Sequence, residues 1–301
     1  MVKLGTKYPE IVVLDAEVKN STYAEFFKQK FPKRFFECFI AEQNMVSMAV
    51  GMSRMGKIPF CSTFAAFLTR AFDQIRMASY SKANIKLIGS HCGVSIGFDG
   101  ASQMGLEDIS MMKSIANSTI FYPADSISTE KLTEIMALTK GIFYLRTTRE
   151  KTPALYNENE IFEIGGFKIH KFKAQNKKII IITAGITLFE ALKAQEELAK
   201  EGIEVLLIDL YSIKPINKEK LLLELGFTNG KPFSHKIITV EDHYFDGGLG
   251  DAVLNVFADI PNVAIKKLAV TKIPHSGTPL ENLKSAGIDA ETISKAVNRL
   301  I

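Results

Sequence analysis

Apolar positions along the chain fall in short, nearly continuous runs separated by stretches with helical spacing. Runs at residues 11–14, 35–40, 58–62, 85–89, 119–122 and 141–146 read as buried strands, and the amphipathic stretches between them as helices. That alternation predicts a parallel sheet covered on both faces. Residues 147–166 break the pattern with Pro153, Asn157, Asn159, Gly165 and Gly166 among several charges, and read as an irregular connection. The alternation then restarts. Strands are predicted at 178–183, 204–210, 236–240 and 263–268, with an amphipathic helix over 187–200 ended by Gly202. The expected fold is α/β, with two consecutive domains, each a mainly parallel sheet flanked by helices.

Composition agrees with an ordinary globular chain. With 301 residues and 47% hydrophobic content, one large or two moderate cores can be buried, and the strand pattern favours two. The formal charge of +4 is small for this length and no basic block stands out, which argues against nucleic-acid binding while leaving room for a small anionic substrate. Cys38, Cys61 and Cys92 lie in or beside apolar runs without metal-ligand spacing, so they read as reduced structural thiols of a cytoplasmic protein. No apolar run reaches the roughly 18 to 20 residues that cross a bilayer, and the first residues lack a signal peptide's apolar core. Neither a membrane nor a nucleic acid is expected as a partner.

Candidate chemistry sits where strands give way to helices. Glu42 follows the run at 35–40 and falls in the first turn of the next helix, near the sheet edge at which open α/β folds bind ligands. It either does chemistry there or only complements the helix dipole, worth roughly 0.3 to 1 kcal/mol. Phe64 and Phe67, at i, i+3 spacing in the first turn of a predicted helix, are either plain core or a stacking wall for a flat heterocycle. The glycine-bearing loop 89–103 carries His91, Asp99 and Gln103, and its glycines would let the backbone approach a ligand whose hydroxyls those side chains suit. Ser21 reads as a helix N-cap or a phosphate contact. Arg146 and Arg149 close the last strand of the first half, where a guanidinium suits a phosphate or a surface ion pair. Asp242 and His243 have no nucleophile nearby and are assigned to structure or to an interface.

Read together, IAEQNM, PFCSTFAAF, RAFDQIR, GSHCGVSIG, DGASQM, YLRTTR and VEDHYFDGG resemble transketolase, in the same order and over nearly the whole chain. The wording is closest to animal-type members, whereas many bacterial relatives carry a His where Gln103 stands. The resemblance implies a thiamine diphosphate enzyme whose pyrimidine-binding domain covers residues 1–155, with a linker at 156–164 and a C-terminal domain at 165–301. It implies that Glu42 hydrogen-bonds the cofactor's pyrimidine nitrogen and promotes its imino tautomer, and that Phe64 and Phe67 stack on the ring. His91, Asp99 and Gln103 map onto positions that touch the sugar hydroxyls, with His91 and Gln103 counted beside Glu42 among the catalytic residues. Ser21 and Arg149 map onto phosphate-binding positions. The reaction implied is transfer of a two-carbon ketol unit from a ketose phosphate to an aldose phosphate, in the pentose phosphate pathway.

This sequence departs from the family in three places. The chain starts just before the first strand, so the preceding helix with its phosphate-binding arginine is expected elsewhere. Glu17 stands where an aspartate near the thiazolium is usual. No GDG motif is present, although the family holds Mg²⁺ and the diphosphate through one, and a divalent ion needs such hard oxygen ligands. The expectation is therefore a split transketolase. This chain would be the C-terminal subunit with no metal ligands of its own, and an N-terminal, diphosphate-binding partner would complete an α2β2 heterotetramer. The alternatives are a 1-deoxyxylulose-5-phosphate synthase, the β subunit of a 2-oxo acid dehydrogenase, or a catalytically idle partner, and the wording of loop 89–103 favours transketolase over the first two.

Overall fold

The computed structural model describes residues 1–170, 179–227 and 236–301. Twelve strands lie among them: β1 (Ile11–Asp15), β2 (Phe35–Glu37), β3 (Ile58–Phe64), β4 (Ile85–Ser90), β5 (Ser118–Phe121), β6 (Ile142–Arg146), β7 (Lys168–His170), β8 (Ile179–Thr183), β9 (Val205–Asp209), β10 (Ser212–Lys214), β11 (Lys236–Tyr244) and β12 (Ala264–Val270). The first sheet runs in the order β10-β5-β6-β4-β3-β1-β2 and the second β12-β11-β8-β9-β7. Pairing is parallel except at β10 with β5 and β7 with β9. Strands β1, β6, β8 and β9 are buried at every position, as expected of parallel strands covered by helices on both faces. The α/β architecture expected from the apolar pattern is the one observed.

The differences from expectation lie at strand ends and sheet edges. Strand β2 stops at Glu37 instead of running to residue 40, because its only partner, β1, ends where Asp15 pairs with Glu37. Beyond it Phe39 turns left-handed, with φ of 53°. Conversely, β3 runs through Phe64, which pairs with Ser90, so Phe64 ends a strand and does not open a helix. The segment at 178–183 is described from Ile179 onwards, and residue 178 lies outside the described residues. A six-residue helix, Val2–Lys7, stands ahead of β1. The short β7 and β10 had no sequence signature. β10 leaves the second half of the chain to add an antiparallel edge to the first sheet, with Ser212 opposite Phe121 and Lys214 opposite Ile120.

Buried side chains knit the sheets together. One apolar cluster extends from Val12, Leu14 and Met45 through Ile120 and Tyr122 to Ile180, Leu206 and Val253. At the same junction Arg146, with no solvent exposure, donates from Nε to Asp108 (2.7 Å) and from Nη2 to the carbonyls of Gly105 and Asp242 (2.8 Å each). It is neither a phosphate ligand nor a surface ion pair but a strut between the halves. Asp242 accepts the Val94 amide (2.8 Å), and His243 Nε2 accepts the Ser110 amide (3.4 Å) while Nδ1 lies 2.8 Å from the Tyr244 carbonyl. These contacts assign both residues to the junction and His243 to its neutral, Nδ1–H form. Burial pushes its pKa down to about 4. The three cysteines are free and buried, and burial pushes the Cys38 thiol up to about 11 and Cys92 to about 12.

Candidate active site

In the first sheet the chain leaves β1 toward β2 on one side, then returns to β3 on the other. The carboxyl ends of β1 and β3 therefore flank a topological switch point, the place where open α/β sheets leave a crevice. Glu42 is the first residue of the helix Glu42–Arg54, reached directly from β2, and it is only 2% exposed. The N-cap, Ala41, has no side chain that can accept a hydrogen bond, so the helix's first turn is left to its own acid. Glu42 Oε1 accepts from Arg70 Nη1 at 2.6 Å, and Oε2 takes no hydrogen bond among the described residues.

After β3 the chain enters a 3₁₀ helix, Ala65–Ala71, before the α-helix Phe72–Tyr80. Three residues per turn stack side chains at i and i+3 above one another. Phe64, Phe67 and Arg70 accordingly form a column: the two phenyl rings lie 5.1 Å apart at 16°, and the Arg70 guanidinium sits 4.4 Å from the Phe67 ring centre. His91 completes the stack on Phe64, with ring centres 3.9 Å apart and planes 10° from parallel. Its backbone is left-handed, with φ of 54°, and its Nδ1 lies 3.1 Å from Ser90 Oγ. Burial, then the nearby Arg149 charge, push the His91 pKa down to about 4, which keeps the ring neutral. Arg149 Nη1 pairs with Asp99 Oδ1 at 3.0 Å and donates to the Ile96 carbonyl at 3.1 Å, holding the loop's outer end.

None of Gln103, Glu17 and Ser21 makes a side-chain hydrogen bond to this group among the described residues. Gln103 lies on a short 3₁₀ turn, Ala101–Gln103, half-buried and without a side-chain hydrogen bond among the described residues. Glu17 is exposed with φ of 63°, and its amide donates to Glu37 Oε1 (3.2 Å). Ser21 is not an N-cap. It is the third residue of the four-residue helix Lys19–Thr22, whose N-cap is Val18. That turn is organised by the fully buried Asp15, which accepts the Val18 amide and the Thr22 hydroxyl at 2.8 Å each and whose pKa burial raises to about 6. Two of the loop glycines also answer to packing: a Cβ on Gly93 would meet Asp242 at 1.8 Å, and one on Gly100 would meet Ser276 at 2.8 Å. They let the loop press against the second half of the chain.

Two residues of this region escaped the sequence reading, Asp15 and Arg70. Arg70 had a signal, since it continues the i, i+3 series of Phe64 and Phe67. Among the described residues no group of three or more His, Cys, Asp or Glu side chains is placed to hold a metal ion.

Family models for the transketolase pyrimidine-binding domain and the transketolase C-terminal domain match residues 1–154 and 170–293. Human transketolase is 49% identical over 302 residues, taking in 100% of this chain and 48% of that protein. Mouse transketolase-like protein 2 is 50% identical over 298 residues, 99% of this chain and 47% of its own length. The chain thus spans about half the length of the curated relatives it matches. Among solved structures, a split gene transketolase described as an inactive beta4 tetramer superposes with a TM-score of 0.87 at 36% identity, covering 99% of this chain and 94% of that one. Pichia stipitis transketolase, in complex with sedoheptulose 7-phosphate, shares the fold at a TM-score of 0.81 and 19% identity, over 99% of this chain and 44% of its own. The chain therefore belongs to the transketolase family and carries its pyrimidine-binding and C-terminal domains.

Proposed function

We propose that the chain is the C-terminal subunit of a split, thiamine diphosphate-dependent transketolase that moves a two-carbon ketol unit from a ketose phosphate to an aldose phosphate. The observation that carries this reading is a nearly buried carboxylate, Glu42, linked through Arg70 to the stacked Phe64 and Phe67 at the switch point. These groups fit an aminopyrimidine, since Glu42 Oε2 takes no hydrogen bond among the described residues and the phenyl rings offer flat apolar surface. Thiamine diphosphate, when bound, supplies the electron sink for breaking a carbon–carbon bond beside a carbonyl.

The chain's own residues do the rest. Glu42 would hold the proton exchanged with the pyrimidine nitrogen, beside phenyl rings that would exclude water from the bound ring. His91 is neutral, with Nδ1 engaged by Ser90, so Nε2 is left to exchange a hydrogen bond with a sugar hydroxyl. Asp99 and Gln103, on the same loop, would meet the remaining hydroxyls, while Arg149 and Ser21 would take the sugar phosphate and Glu17 would serve the cofactor's cationic ring. Arg149 must then exchange Asp99 for phosphate oxygens, which match its planar fork.

Mg²⁺ and the diphosphate fall to a partner chain corresponding to the half of its relatives that this chain does not span, in an assembly of two copies of each, working in the cytoplasm on the pentose phosphate pathway. The likeness to a split-gene chain of nearly the same extent supports this division. The test is ketol transfer from xylulose 5-phosphate, with thiamine diphosphate and Mg²⁺, by the chain alone and after mixing with a diphosphate-binding subunit. Activity is expected only in the mixture. Full activity of the chain alone overturns the division, and use of pyruvate in place of the ketose phosphate overturns the reaction.

A further inference from the structure

We propose that Arg70 is a positioning residue that holds the pyrimidine slot shut until a flat heterocycle displaces it. The inference rests on the proposed function of Glu42. Its basis is the shape of what fills the slot: the guanidinium is planar, lies 4.4 Å over Phe67 and donates an N–H to Glu42 at 2.6 Å. Stacking on a phenyl face and engaging Glu42 are the two interactions required of the incoming ring, so Arg70 and the ring compete for one place. The two partners differ in their hold on the protein. Glu42 is 2% exposed and fixed at a helix start, whereas the Arg70 side chain is 48% exposed, on a long stem able to swing into water.

The arrangement has a clear physical purpose. A carboxylate removed from water without a partner is costly, and Arg70 supplies a charge-assisted partner in the empty chain. The cost is in affinity: a ligand that binds only the open slot sees its apparent affinity reduced by the fraction of chains in which the slot is open. Only one guanidinium N–H reaches Glu42, so the closure is a single-contact latch and not a bidentate clamp.

The test is calorimetric titration of the full chain with thiamine, which carries the pyrimidine without the diphosphate. Arg70→Ala is expected to bind at least tenfold more tightly than the unmodified chain, and Arg70→Lys, which keeps charge but cannot stack as a plane, to fall between them. Millimolar guanidinium should return Arg70→Ala to the weak affinity of the unmodified chain, where sodium at the same ionic strength does not; a merely structural arginine would show no such rescue. Binding by Arg70→Ala that is no tighter, or absent in both, overturns the proposal. A Glu42→Gln change separates this inference from the reading it rests on. If thiamine binds with the same affinity whether or not Glu42 is present, the pyrimidine assignment itself fails. If binding depends on Glu42 but weakens without Arg70, only the latch is lost.

Discussion

At Glu42 the residue type and the strand-to-helix junction were both legible in the sequence, but what a carboxylate does depends on what faces it. The facing group, Arg70, is set by a 3₁₀ turn that apolar spacing alone reads as an ordinary helix, so the column of Phe64, Phe67 and Arg70 was only half visible. If Glu42 is the proton-sharing acid, Glu42→Ala should lower ketol transfer in the reconstituted complex by at least about 100-fold, the lower end for a positioned acid–base group, with little change in circular dichroism. Gln at the same place should recover little of that loss. A second residue-scale expectation concerns His243, whose burial could not be foreseen from its sequence neighbours. Its native pKa, pushed down to about 4, lies below the ordinary 6.5, so the unfolded chain takes up the proton first as pH falls. Its share of stability is intact above pH 6.5 and is lost between 6.5 and 4, by up to about 3 kcal/mol. Buried Asp209 and Glu241, raised to about 7, act in the opposite sense, so the measurement is a difference. Urea unfolding of His243→Asn should lose less stability than the unmodified chain on going from pH 7.5 to 5.

Among the elements, β1, β6, β8 and β9 could be read from sequence because four consecutive buried apolar residues leave little choice of state. β7 and β10 could not, since three-residue edge strands are defined by their neighbours and not by their own pattern. The loop between β4 and the helix Asp108–Ser114 was identified by its glycines, but the neighbours that crowd Gly93, Gly97 and Gly100 lie in the other half of the chain. Two substitutions separate these uses of glycine. Gly93→Ala places a methyl against the buried Asp242 at a position with φ of 77°, and should cost about 3 kcal/mol or more in chemical unfolding. Gly51→Ala, in the helix that Glu42 starts, meets nothing within 4 Å and should stabilise the chain by about 0.5 to 1 kcal/mol.

At the scale of the molecule, Phe39 and Ile40 stand 63% and 75% exposed, one residue short of buried Glu42. If a partner chain completes the site, changing both to Ser should leave the melting temperature of the isolated chain within about 2 °C while weakening reconstitution with the diphosphate-binding subunit at least tenfold, read by titrating activity against partner concentration. The alternation of strands and helices announced two units, yet it gave no sign that the second returns a strand to the first. From the end of that strand, Lys214 Nζ reaches the carbonyls of Lys113 (2.8 Å) and Ile115 (2.7 Å) and the Ser118 hydroxyl (3.0 Å). A protein engineer who recombines homologues at the inviting border near residue 160 would thus fit one parent's β5 with another parent's hem. Hybrids should stay soluble where Ile120, Phe121, Ser212 and Lys214 share an ancestor, and clump through a ragged margin where they do not.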